Sequence, residues 1–202
     1  MTDKVLSPPA HVEPVGFTRD QLDWLPWLEP MAEAALTPRH ITALVDAPRA
    51  KSDYFRLLAR DPDILEARTR TDKDIFYNPE AGLPRAEHEL AAAATSRYNG
   101  CIYCASVHAR FAATYSKRVE DVDHLLAKGV GADLDARWNA IVAASVALTS
   151  TPIAFGPRHI DGLRKVGLDD ASIVDVINAA SFFNWANRLM LSLGEPAVAA
   201  GI

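Results

Sequence analysis

Two cysteines in 202 residues leave no material for a disulfide framework. They are Cys101 and Cys104, and a bridge between them closes too small a loop to brace a fold. In a reducing compartment such a pair reads as catalytic or metal-binding rather than as a structural staple. No apolar run approaches the roughly 20 residues that span a bilayer. The segment from Met1 to Phe17 carries Asp3 and three prolines and has no apolar centre of the kind that directs secretion. These absences together predict a soluble, cytoplasmic protein with no membrane partner. A net charge of −5, with the two signs interspersed, argues against nucleic acid, whose binding depends on neutralising phosphates. Arg56, Arg60, Arg68 and Arg70 are the one local basic run, and they read as solvated surface. No alternation of Val, Ile and Thr marks a sheet.

What is present is helical periodicity. A hydrophobic content of 49% is enough for a core. Residues 1–17 read as an extended, Pro-rich arm and 18–202 as one domain. Thr18 is a candidate cap for a short helix running into Trp24, Leu25, Trp27 and Leu28, with the tryptophans read as packing residues. Pro38 starts a helix to Val45, and 52–78 reads as two helices broken at Asp61-Pro62. Further helices are expected from Pro84, over Cys101 to Tyr115, Val119 to Lys128, 134–150 and His159 to Val166. Asp169 or Asp170 caps a long last helix to about Leu193, with Ile173, Val176, Ile177, Ala180 and Phe183 as its buried stripe. The fold class is all-α.

One constellation implies chemistry. Cys101, Cys104 and His108 stand at i, i+3 and i+7, so a helix beginning near Cys101 turns both sulfurs and the imidazole to one side. Asn99-Gly100 suits the exit of the preceding helix, which carries Glu89. Cys101 then lies in a first helical turn, where unpaired N–H groups and the positive end of the dipole favour a thiolate below the free value of about 8.5. Glu89 lies among apolar and alanine residues that favour partial burial, whereas Glu87 and His88 fall on other faces and read as surface or interface residues. Asn184 and Arg188, one turn apart, are candidates for the pocket or for a neighbouring subunit.

Glu89, eleven intervening residues, Cys101-x-x-Cys104, three more and His108 resembles the active-site signature of the alkylhydroperoxidase D and carboxymuconolactone decarboxylase superfamily. Glu87-His88-Glu89-Leu90 and Tyr98-Asn99-Gly100-Cys101 are similar to it as well, with the cysteine-motif core at about 83–117. Phe182 to Leu189, followed by Leu193-Gly194, resembles the carboxyl-terminal segment of its uncharacterised peroxidase-related branch. The resemblance implies a multi-helix bundle that assembles as a trimer or hexamer, and thiol-dependent reduction of hydroperoxides with a dithiol or protein electron donor and no tightly bound cofactor. It implies that Cys104 attacks the peroxide, that Cys101 resolves the resulting sulfenic acid to a disulfide, and that Glu89 and His108 relay protons. One position departs from the pattern: the best-known members have a histidine directly before the second cysteine, where this chain has Tyr103, a phenol titrating near 10 and a poor base at neutral pH.

Two other readings use the same residues. Cys101, Cys104 and His108, with His88 or Glu89 as a fourth ligand, approximate a zinc site, although no second cysteine pair completes the usual structural pattern. The thiols can also serve as a redox switch in a helical assembly protein without turnover. Lactone decarboxylation, known in the superfamily, needs a base and an oxyanion stabiliser rather than paired thiols, and the cysteines argue against it.

Overall fold

A computed structural model describes residues 5–8, 10–80 and 82–199. Residues 1–4 and 9 of the expected arm, and 81 and 200–202 of the expected domain, lie outside the described residues. Among the described residues the order is β1 (Leu22–Pro26), α1 (Pro38–Leu44), α2 (Asp53–Leu58), α3 (Pro62–Tyr77), α4 (Arg85–Asn99), α5 (Ile102–Ser116), α6 (Val119–Lys128), α7 (Ala136–Thr149), α8 (Pro157–Lys165), α9 (Asp170–Leu193) and β2 (Gly194–Val198). The class is all-α, with one small two-stranded sheet.

Helix boundaries follow local chemistry. Asp61 accepts from the Ile64 N–H at 3.2 Å and caps α3, whose first residue is Pro62. Asp135 caps α7 by accepting from the Trp138 N–H at 2.8 Å, and Asp169 caps α9 through the Ser172 N–H at 2.9 Å. At the end of α4, Gly100 sits at φ +79° in the left-handed region, which a residue with a Cβ enters at a steric cost.

α4 is the axis of the bundle and packs against α5, α7 and α9. Ten consecutive residues, Glu87 to Ser96, are buried. A helix buried all round cannot be amphipathic, and Ala91 to Ala94 supply the small side chains that let three neighbours approach it closely. Leu90 of α4, with Leu125, Ile141 and Val176 on the surrounding helices, fills the core, and all four are wholly inaccessible or nearly so. A smaller cluster of Ala43, Leu44, Ala50, Ala59 and Leu65 holds α1, α2 and α3 together.

The sheet corrects the sequence reading of residues 18–28. Thr18 does not cap a helix; its hydroxyl accepts from the Asp20 N–H at 3.0 Å in a tight turn, and the chain then enters β1. β1 pairs antiparallel with β2 in the register Leu22↔Val198, Trp24↔Pro196 and Pro26↔Gly194. Leu22 and Trp24 are buried while Asp23 faces out, the period of two that a half-buried strand requires. Pro26 and Pro30 stand against a helix there, and the partner strand lies at the far end of the chain. Gly194 is extended, so its need for glycine is spatial: a Cβ would meet the Leu25 carbonyl oxygen at 2.3 Å and the Trp24 ring at 2.5 Å. The amino-terminal segment joins this sheet through the Leu6 N–H to the Trp27 carbonyl, and the Val198 N–H to the Val12 carbonyl.

Truncating Leu90, fully buried in α4, removes core contacts that the rigid alanine face cannot collapse to replace. Leu90→Ala is expected to lower stability by about 2–5 kcal/mol. Urea unfolding followed by circular dichroism measures it; a change below about 1 kcal/mol would contradict the central role given to α4.

Candidate active site

The turn between α4 and α5 sets the geometry of the two sulfurs. The Ser96 carbonyl accepts from both the Gly100 N–H, which closes α4, and the Cys101 N–H at 2.9 Å. Cys101 is thereby held as the N-cap of α5, and Cys104 follows in its first turn. Both thiols are free and buried, with their sulfurs 2.8 Å apart. Movement of less than about 1 Å brings them to bonding distance.

Their environments differ. A hydrogen bond from Cys104 holds the Cys101 thiol below its ordinary value, and the Cys104 backbone N–H and the Asn187 side chain add to this against the opposing effect of burial. Burial pushes the Cys104 thiol well up, as do the hydrogen bond with Cys101 and its charge, while Asn187 and the Arg68 guanidinium pull the other way. Cys101 is therefore the first of the pair to ionise, as its place at the start of a helix predicts.

Glu89, fully buried on α4, is shared between two partners. Its Oε2 lies 2.5 Å from His108 Nδ1, and its Oε1 accepts from Arg85 Nε at 2.6 Å. With Nδ1–H turned to the carboxylate, His108 has Nε2 as its exchangeable site. The imidazole packs against Phe183 at 3.9 Å between centroids and against Phe76 at 5.4 Å. Arg85 also donates to the Phe76 carbonyl, and its guanidinium lies 4.0 Å from the centre of the Tyr77 ring and 5.1 Å from that of Tyr115. Cys104, His108 and Glu89 line one cavity of about 190 Å3, walled by Phe55, Phe76, Phe111 and Phe183. Cys101 lines a second cavity of about 250 Å3, formed with Glu13, Trp24 and Glu195. Tyr103 and Met190 border both. Burial raises the Tyr103 phenol further, so it does not replace the histidine of the related pattern.

The four residues singled out in the sequence thus lie in two coupled pairs, Cys101 with Cys104 and Glu89 with His108. Glu87 and His88, expected at the surface or an interface, are buried within the chain: Glu87 accepts from Arg137 Nε at 2.6 Å and Nη2 at 2.7 Å, and His88 lies 3.7 Å from Asp175. Arg68 does not join a solvated basic face; it is buried and lines the Cys104 cavity. Asn184 accepts from Asn99 Nδ2 at 3.2 Å, whereas Arg188 is exposed. Among the described residues no three His, Cys, Asp or Glu side chains are grouped to hold a metal ion, so the zinc arrangement finds no such cluster.

Sequence reasoning missed Asn187. It is fully buried, donates to Ser96 Oγ at 3.0 Å and accepts from Asn99 Nδ2 at 3.1 Å. The available signal was its position four residues after Phe183, a polar residue continuing the apolar stripe of α9. Arg85 had a comparable signal, one turn before Glu89.

Comparison with known proteins matches residues 62–147 to the carboxymuconolactone decarboxylase family. Among solved structures, the chain is similar to an alkylhydroperoxidase AhpD core, an uncharacterised peroxidase-related protein from Ralstonia eutropha JMP134. That match has 23% identity and a TM-score of 0.69 over 81% of this chain and 87% of that one. An uncharacterised peroxidase-related protein from Silicibacter sp. TM1040 matches with 26% identity and a TM-score of 0.62, over 70% and 74% of the two chains. The debrominase Bmp8 shares the fold at 16% identity and a TM-score of 0.66, over 81% and 88%. Comparison with curated proteins finds no match.

The unequal thiols have a measurable consequence. Pulse alkylation of the reduced protein across pH, read by mass spectrometry, is expected to label Cys101 with a midpoint below the free-thiol value of about 8.5, and Cys104 only at higher pH. Asn187→Ala removes an amide that favours both thiolates and is expected to shift both midpoints upward. Equal labelling of the two cysteines at every pH would overturn this assignment.

Proposed function

We propose, from the match of residues 62–147 to the carboxymuconolactone decarboxylase family and the likeness to peroxidase-related structures, that the chain is a member of the alkylhydroperoxidase D and carboxymuconolactone decarboxylase superfamily and a thiol-dependent peroxidase cycling Cys101 and Cys104 between dithiol and disulfide. The observation that carries the reading is the cavity in which Cys104 meets the Glu89–His108 pair while its sulfur lies 2.8 Å from that of Cys101.

The cycle starts with one proton on the cysteine pair and one transferable proton on His108. Transfer of the shared proton to Cys101 leaves the thiolate on Cys104. That sulfur attacks the terminal oxygen of the hydroperoxide: the S–O bond forms, the O–O bond breaks, and the alkoxide takes a proton from His108 to leave as an alcohol. Neutral His108 then takes the Cys101 proton. The Cys101 sulfur attacks the Cys104 sulfenic acid, forming the disulfide as the S–O bond breaks. The departing hydroxide leaves as water with the proton returned by His108. An external dithiol restores the two electrons and two protons.

Glu89 holds the imidazole in orientation and balances its positive state, a role that suits a carboxylate removed from water. In the same reading residues 18–202 form the catalytic domain behind an amino-terminal arm, and the protein works in the cytoplasm as a homo-oligomer, in antioxidant defence. No described helix is long and apolar enough to cross a membrane. Val174, Trp185 and Leu191 leave apolar surface exposed along α9, in keeping with subunit contacts there.

The test is consumption of cumene hydroperoxide with dithiothreitol as donor. Cys104→Ser is expected to abolish turnover. Cys101→Ser is expected to react once and retain a sulfenic acid on Cys104 that dimedone traps. His108→Gln is expected to lower kcat/KM by about 100-fold. Equal rates in all four proteins would reject the peroxidase cycle.

A further inference from the structure

Arg68 lies on α3 and lines the Cys104 cavity together with Tyr54 and Phe55 of α2, whereas Glu89 and His108 line it from α4 and α5. Its side chain is 7% exposed, yet Nε and Nη1 have no hydrogen-bond partner. The nearest carboxylate, Asp72, is 3.7 Å from Nη1, beyond hydrogen-bonding distance, and is shared with Arg49 at 3.5 Å. Tyr54, on the same cavity, has a buried hydroxyl that makes no hydrogen bond within 3.5 Å, although the Arg68 guanidinium lies near enough to act on it. Buried guanidinium and phenol donors left unmet are expensive to maintain, and one carboxylate satisfies both a guanidinium fork and a neighbouring hydroxyl.

The local charge points the same way. Arg49, Arg68 and Lys73 are linked with only two carboxylates, Asp46 and Asp72, leaving one positive charge over. Asp72 also lines the cavity and opposes an incoming anion, but its two arginine neighbours already engage it. The Arg68 guanidinium is held between the rings of Phe55 and Phe182, 5.5 Å and 5.2 Å from their centres, so its fork is preorganised. A cavity of about 190 Å3 compares with the engineered apolar cavity of about 150 Å3 that takes up benzene. One ring, or a short chain, with a few polar atoms fits that space.

We propose that Arg68 and Tyr54 form a carboxylate-binding subsite, and that the substrates of the Cys104 cavity are small hydroperoxides that also bear a carboxylate. The inference rests on the peroxidase reading for its reaction, but not for its binding.

The binding arm uses benzoate and its neutral counterpart benzamide, titrated calorimetrically into the reduced protein. Benzoate is expected to bind at least tenfold more tightly than benzamide, and Arg68→Met is expected to erase the difference. The kinetic arm compares cumene hydroperoxide with its para-carboxylate derivative. The kcat/KM ratio is expected to favour the carboxylate at least tenfold in the wild type and to fall to near one in Arg68→Met. A ratio is the informative quantity, because loss of a cation near Cys104 lowers both rates together. The wild-type comparison stands even where the variant fails to fold, and Arg68→Lys, which keeps the charge without the fork, is expected to retain part of the preference. Benzoate binding with no hydroperoxide turnover would support the subsite and reject the peroxidase reading. Turnover of both hydroperoxides with no preference, and no preference for benzoate, would overturn the subsite and leave the peroxidase reading in place.

Discussion

A carboxylate with no access to water organises the centre of this protein. Glu89 stands in the most enclosed helix of the bundle, and a charge in such a place is tolerated only when both of its oxygens are engaged. One partner comes from its own helix, Arg85, and the other from α5, His108. The requirement fixes the imidazole ring in place and orients α5 against α4. Because α5 begins at Cys101, the same constraint brings the sulfur pair into register with the acid–base pair. Removing one member of such a buried pair typically costs about 3–5 kcal/mol, because the remaining charge is left uncompensated.

The unlike behaviour of two neighbouring thiols follows from backbone geometry. Cys101 is a helix cap, within reach of a backbone N–H and of the amide of Asn187, while Cys104 lies a turn deeper where desolvation dominates. The two sulfurs also open on different cavities, one bordered by the sheet and the amino-terminal segment and the other by aromatic side chains of the bundle. Tyr103 and Met190 line both cavities and stand as the partition between them. A phenol suits a partition: large, partly apolar and without a proton to exchange at neutral pH.

Much of the bundle was legible in local chemistry. Asp61-Pro62, Asp169 and Asn99-Gly100 punctuate helices through hydrogen bonds and backbone angles that involve only near neighbours, and each boundary is found where the residues point. The strand at Leu22–Pro26 was misread as helix because its partner follows at Gly194–Val198, and no local pattern encodes a pairing at that separation. Glu87 and His88 were misplaced for a related reason. A charged or imidazole side chain is ordinarily assigned to water, and their burial depends on Arg137 and Asp175 from other helices. Arg68 looked like part of a basic run, although its neighbours in the fold are aromatic rings rather than other arginines.

By itself the sequence determined the all-helical class, the place of Cys101 near the start of a helix and the spacing that groups Glu89, Cys101, Cys104 and His108 in one motif, since these follow from separations within or between adjacent helices. Only the tertiary structure decided that Glu89 is wholly removed from water, that Asn187 of the last helix bonds Ser96 and Asn99 beside the turn that carries Cys101, that the cysteines line separate cavities, and that Arg68 lines one of them with donors unmet. Those properties arise where distant segments meet: dielectric surroundings, cavity shape and polar satisfaction belong to a packed volume, and no stretch of chain carries them alone.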